Sequence, residues 1–159
     1  MKSLVLTTLI ATLPLIAAPA FAADEINVSN GISAAGAPLA AHGVDLVALV
    51  NEGNPVEGFA THSSTYDGAS YYFTSAANLE AFEANPTAYL PQHGGFCSFG
   101  VSVGKKFDGD PDQYLVTDGK LYLFLNAETR AAFLKDVPAT AKTADDQWAQ
   151  IKSVAVGEL

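Results

Sequence analysis

The chain has 159 residues, with 17 acidic against 8 basic side chains and a formal net charge of −9 at neutral pH. This length suits one domain with a hydrophobic core of its own. The acidic balance disfavours nucleic acids and anionic membrane surfaces as partners, because the field of the protein repels polyanions. An acidic balance also allows a cationic ligand, and the sequence identifies no protein partner.

The first 22 residues have the order of a secretory signal peptide. Lys2 precedes an apolar run over 4–18, and small residues lead to Ala22. The run is shorter than the roughly 20 apolar residues that span a bilayer, and prolines interrupt it. We therefore expect cleavage after Ala22, a periplasmic or secreted protein, and no membrane insertion after cleavage. A lone cysteine allows no internal disulfide in such a compartment.

The remaining chain divides by its composition. Residues 23–41 show little periodicity and predict a loosely ordered segment, residues 42–152 predict a single domain, and residues 153–159 predict a tail. At the start of the domain, Asp45 can cap a short helix that Gly53 can end. The β-branched run between these two residues also fits a buried strand.

A β-hairpin followed by a helix occurs twice, 51 positions apart. In the first copy, strands over 61–66 and 69–73 flank the two-residue turn Asp67-Gly68, and Ser75 can cap a helix over 76–84. The positions that match are Asp67, Gly68, Tyr71, Phe73, Ala76, Ala81 and Phe82 with Asp118, Gly119, Tyr122, Phe124, Ala127, Ala132 and Phe133. We expect an α+β fold in which both β-hairpin–helix units build one antiparallel sheet, with short helices packed on it.

Three further features are interpreted as structural. An Ala-rich segment over about 140–151 predicts a last amphipathic helix that Trp148 anchors to the domain. Lys105-Lys106 predicts a solvated pair just beyond a helix end. Asp67 is interpreted as a turn residue rather than as a functional carboxylate.

The stretch between the two units concentrates the residues that can carry chemistry. It holds the only cysteine, Cys97, together with His93 and the pair Gly94-Gly95. The glycines permit a sharp backbone turn. The apolar residues that follow have helical spacing, which predicts a short helix with Cys97 in its first turn.

These motifs together resemble the exported single-domain branch of the YHS domain family. The matching segments are Gly43 to Ala48, Tyr66 to Ala76, Asn85 to Tyr89, Pro91 to Cys97, Asp118 to Tyr122 and the late Trp148. The resemblance implies a treble-clef-like metal-binding fold of the kind attached to heavy-metal transport ATPases. The cysteines that it implies near the first motif and after the Tyr-x-Phe strand are absent, because Ala48 and Thr74 stand there.

Three functions stay open at this stage. A metal ion bound by Cys97, His93 and His42 is the first, with copper preferred over zinc because thiolate and imidazole ligands suit it. A small-ligand or protein-binding module without metal is the second, with Asp45, Tyr71 and Phe96 as its candidate residues. A thiol-dependent enzyme is the third, with Cys97 as nucleophile and His93 as base. The sequence favours a binding protein over an enzyme, because it carries no recognised hydrolase signature.

Overall fold

The computed structural model describes residues 24–159, and the predicted signal peptide lies outside them. The helices are α1 (Leu46–Glu52), α2 (Ala76–Ala84), α3 (Ser98–Ser102), α4 (Ala127–Phe133) and α5 (Val137–Ile151). The strands are β1 (Phe59–Tyr66), β2 (Ala69–Phe73), β3 (Asp110–Thr117) and β4 (Lys120–Phe124). The α+β class is confirmed. Within residues 24–159, no helix has both the length and the apolar character needed to cross a membrane.

The two hairpins form two separate two-stranded sheets in the described part of the chain, β1 with β2 and β3 with β4. The prediction that both join one sheet is wrong. Connecting segments bridge the free edges instead: Leu39 pairs with Ser70 on β2, and Cys97 pairs with Leu123 on β4. The hairpins therefore share no ladder, and side chains of both meet in one hydrophobic cluster that includes Phe73 and Leu123.

The internal repeat extends to the hydrogen-bond register. Residues 63–66 of β1 face 72–69 of β2, and residues 114–117 of β3 face 123–120 of β4, with the same irregularity before each run. Both turns have positive φ at both central residues, as the favoured two-residue hairpin turns require. The two related hairpin–helix units are therefore confirmed.

Each unit places its helix on its hairpin through one phenylalanine. Phe82 of α2 lies with its ring centre 5.0 Å from those of Tyr71 and Phe73. Phe133 of α4 repeats this arrangement at 5.3 Å from Tyr122 and 5.0 Å from Phe124. These six rings therefore pack in the same way in the two units.

The prediction of a solvated lysine pair is wrong for Lys106, which is 4% exposed. Its ammonium donates to three backbone carbonyls, those of Asp24 at 2.9 Å, Lys152 at 2.8 Å and Val154 at 2.7 Å. It also lies 5.4 Å from the ring centres of Phe96 and Trp148. Because an ammonium has three donors, this buried cation is fully paired and joins the first described residues to the C-terminal segment.

Replacing Phe82 with Ala should lower the free energy of unfolding by about 3–5 kcal/mol, because it removes a buried ring and leaves a cavity between α2 and its hairpin. The matched control is Phe59→Ala, since Phe59 is 58% exposed. Urea denaturation measures both changes. Equal losses in the two variants would contradict this account of the core.

Candidate functional site

The glycine pair forms a left-handed turn, with φ of 56° at His93, 64° at Gly94 and 83° at Gly95. A side chain at Gly94 would place its Cβ 2.0 Å from the carbonyl oxygen of Glu25, so only glycine fits there. The amide of Asn27 donates to the carbonyl of Gly94 at 2.8 Å. The turn therefore packs its backbone directly against the first described residues.

Cys97 lies in the core and precedes α3 as its N-cap, one position before the predicted first turn. It is 0% exposed and packs with Tyr122, Phe124 and Phe133. Its sulfur accepts a hydrogen bond from the amide of Gly100 at 3.4 Å. The thiol thus fills a core position and satisfies one amide at the start of α3.

His93 is buried and bonded at both ring nitrogens. Nδ1 lies 3.0 Å from the Ser98 hydroxyl, and Nε2 lies 3.0 Å from the Asp145 carboxylate of α5. A carboxylate only accepts, so Nε2 carries the hydrogen and the Ser98 hydroxyl donates to Nδ1. Burial lowers the pKa of His93, and this outweighs the opposing effect of Asp145. The neutral ring therefore ties the glycine turn to α5.

His42 lies in a different hydrogen-bond group, where its Nε2 is 3.0 Å from the Asp108 carboxylate. The same carboxylate accepts from the side-chain amide of Asn27 at 2.6 Å. Burial alone would raise the pKa of Asp108, but the hydrogen bonds from Asn27 and His42 hold it below its usual value. His42 and Asp108 thus help to hold the segment that carries Asn27.

The predicted metal ligands do not fit one metal centre. Across residues 24–159, no group of three or more His, Cys, Asp and Glu side chains is placed to hold an ion. Cys97 is bonded to a backbone amide, while His93 and His42 each contact a separate carboxylate. With both of its ring nitrogens taken by other groups, His93 is also not poised as a base for the thiol.

Asp45 and Phe96, predicted as ligand contacts, are structural. Asp45 is buried and caps α1, which settles the choice between helix and strand, and it also accepts from Thr74 and Asn78. Burial would raise the pKa of Asp45, but hydrogen bonds led by that from Asn78 hold it below its usual value. Phe96 is buried against Trp148, with ring centres 6.1 Å apart.

A cavity of about 250 Å³ lies beside the glycine turn. Its walls come from the first described residues, the tip and face of the first hairpin, the turn and α5. The residues that set its chemistry are Glu25, Asp67, Tyr71, Leu90, Trp148 and Lys152. It combines apolar and aromatic walls with a few polar groups, which is the usual makeup of a small-molecule site.

Tyr71 is the predicted ligand-binding residue that the structure brings to this cavity. It is 3% exposed and lines the cavity, and its hydroxyl makes no hydrogen bond to another residue of 24–159. Burial raises the pKa of Tyr71, and the charges of Asp67 and Tyr66 add to this effect, so the phenol stays protonated. A buried hydroxyl normally has a partner, and here the cavity is where one can bind.

Sequence reasoning missed the part that Asp67 and Asp145 play. The sequence predicts Asp67 to be a turn residue because it leads an Asp-Gly hairpin turn, as Asp118 does in the second unit. The two turns have the same local sequence, but their surroundings differ. Asp67 lines the cavity, whereas Asp118 does not. Asp145 lies in a helix with no motif, and no local signal marks it.

The fold is a small α+β domain made of two repeated units. Residues 52–93 match the YHS domain model, which supports the family that the motifs predicted. That family is associated with metal binding in general. No curated protein and no solved structure matches the chain.

The free energy of unfolding should fall as the pH drops below 6.5, the ordinary pKa of histidine, because the unfolded chain then takes up a proton that buried His93 resists. This single group contributes at most about 1.4 kcal/mol per pH unit. Urea denaturation between pH 5 and pH 8 should show a flatter dependence in His93→Asn. Asparagine suits the left-handed backbone of this position.

The matched control is His42→Asn, which makes the same change at another left-handed residue with a half-exposed ring. It should not flatten the pH dependence as His93→Asn does, because the His42 ring is half-exposed and lies beside the Asp108 carboxylate. The same slope in both variants would show that His93 is not the responsible group.

Proposed function

We propose that this protein is an exported binding protein that holds a small molecule in the cavity beside Tyr71, without a metal ion. The observation that carries the proposal is a nearly fully buried phenol that lines a cavity and has no hydrogen-bond partner among residues 24–159. No side chain of the described residues uses this hydroxyl, so it is available to a ligand atom in the cavity, which would take the place of water there.

The cavity suits a ligand of modest size. Its volume of about 250 Å³ corresponds to roughly eight waters at liquid density. Trp148 and Leu90 offer apolar surface for the body of such a ligand, while Tyr71 fixes its polar end. The left-handed turn at Gly94 holds one wall in place through backbone contacts, which supports a site that exists before the ligand binds.

Export is part of the proposal. It is supported by the order of a positive residue, an apolar run and small residues over 2–22. The acidic surface, with a net charge of −9, suits a dissolved carrier of small molecules.

Copper held around Cys97 is the second candidate, because the family is associated with metal binding. The separate bonding of Cys97, His93 and His42 weighs against it. We expect the unaltered protein, Cys97→Ser and His93→Asn to take up equally little copper in a titration followed by elemental analysis. Stoichiometric uptake that both substitutions abolish would favour the copper function over the cavity function.

Emission from Trp148, the single tryptophan, should report occupation of the cavity, because the indole lines it. We expect at least one of three similar probes, phenethylamine, 2-phenylethanol and phenylacetate, to change this emission saturably. Tyr71→Phe should weaken its binding about fivefold, the effect of losing one hydrogen bond.

The matched control is Tyr122→Phe, which removes the equivalent hydroxyl from the second unit, away from the cavity. Its dissociation constant should equal that of the unaltered protein. No response to any of the three probes, checked by calorimetry, would overturn the proposed function.

A further inference from the structure

We propose that the cavity selects a small organic cation, a primary amine whose ammonium lies between Asp67 and Tyr71 and whose apolar body lies on Trp148. This inference rests on the proposed function and names the chemical class of the ligand. Its basis is the arrangement of charge around the cavity, taken together with the unpaired hydroxyl.

The polar end of the cavity has a negative field. Asp67 lines the cavity together with Tyr71, and its charge disfavours a further negative charge at the Tyr71 hydroxyl. Asp67 takes part in no ion pair among residues 24–159. An ammonium has three donors, which the carboxylate and the phenol oxygen can both accept.

The other charged side chains that line the cavity do not change the sign of its net charge. Glu25 and Lys152 also line it and carry opposite charges. Glu25 lies near enough to Lys106 to counter the effect of burial on the pKa of that lysine. Since Glu25 and Lys152 carry opposite charges, the net charge of the side chains that line the cavity is that of Asp67.

Trp148 favours one orientation of the ligand. The Lys106 ammonium already stands 5.4 Å from the centre of the indole ring. A second cation at that ring would be repelled, because like charges in a partly buried site interact strongly. The charged end of the ligand is therefore directed towards Asp67 and Tyr71, and the apolar end towards the indole.

The test compares the three probes by calorimetry, because phenethylamine, 2-phenylethanol and phenylacetate differ mainly in charge. The amine should bind about tenfold more tightly than the alcohol, and the carboxylate should bind most weakly. Added salt should weaken the amine alone, because salt screens the attraction to the carboxylate.

Asp67→Asn should remove the preference for the amine, and asparagine retains the left-handed turn in which Asp67 has a φ of 48°. The matched control is Asp118→Asn, the same change at the equivalent turn, where φ is 51°. This control should keep the full preference.

Each outcome separates the two proposals. If the alcohol or the carboxylate binds as tightly as the amine, the cation inference is overturned and the binding function stands. If Asp67→Asn keeps the preference, the assignment of Asp67 is overturned. If none of the three probes binds, both proposals fail.

Discussion

The close approach of two backbone segments at Gly94 is the constraint on which the rest of the molecule depends. The carbonyl of Glu25 occupies the place where a side chain would stand, and the left-handed turn points His93 inward. From there the imidazole reaches α5 through Asp145, and the chain continues into Cys97 at the start of α3. One glycine therefore decides where the first described residues, the buried histidine and the last helix lie relative to one another.

The cavity arises because two similar units have dissimilar neighbours. Tyr71 and Tyr122 occupy the same place in the two hairpins and are equally buried. The ring of Tyr122 packs 6.1 Å from that of His93, whereas Tyr71 lines open space beside the turn. The two repeated units are built alike. The segment between them covers the aromatic face of the second unit at Tyr122 and leaves the face of the first unit open at Tyr71.

One residue that the resemblance to YHS domains implies is replaced in this chain by a residue of different chemistry. The resemblance to YHS domains implies a cysteine after the Tyr-x-Phe strand, and Thr74 stands there. Its amide and hydroxyl both donate to Asp45, at 2.8 and 2.7 Å, and so complete a buried hydrogen-bond network around the start of α1. A position that implies metal chemistry in the family is thus used here to satisfy a buried carboxylate, which is a structural task.

The sequence by itself determined the repeat, the two hairpin turns and the helix caps, because these depend on residues close together in the chain. It also identified the glycine turn as the segment where the candidate functional residues concentrate. Only the tertiary structure decided that Cys97 and His93 take separate hydrogen-bond partners, that Lys106 is buried, and that Tyr71 lines a cavity. These facts depend on contacts between distant segments, such as Asp24 with Lys106, and no local pattern encodes which segments will pack together.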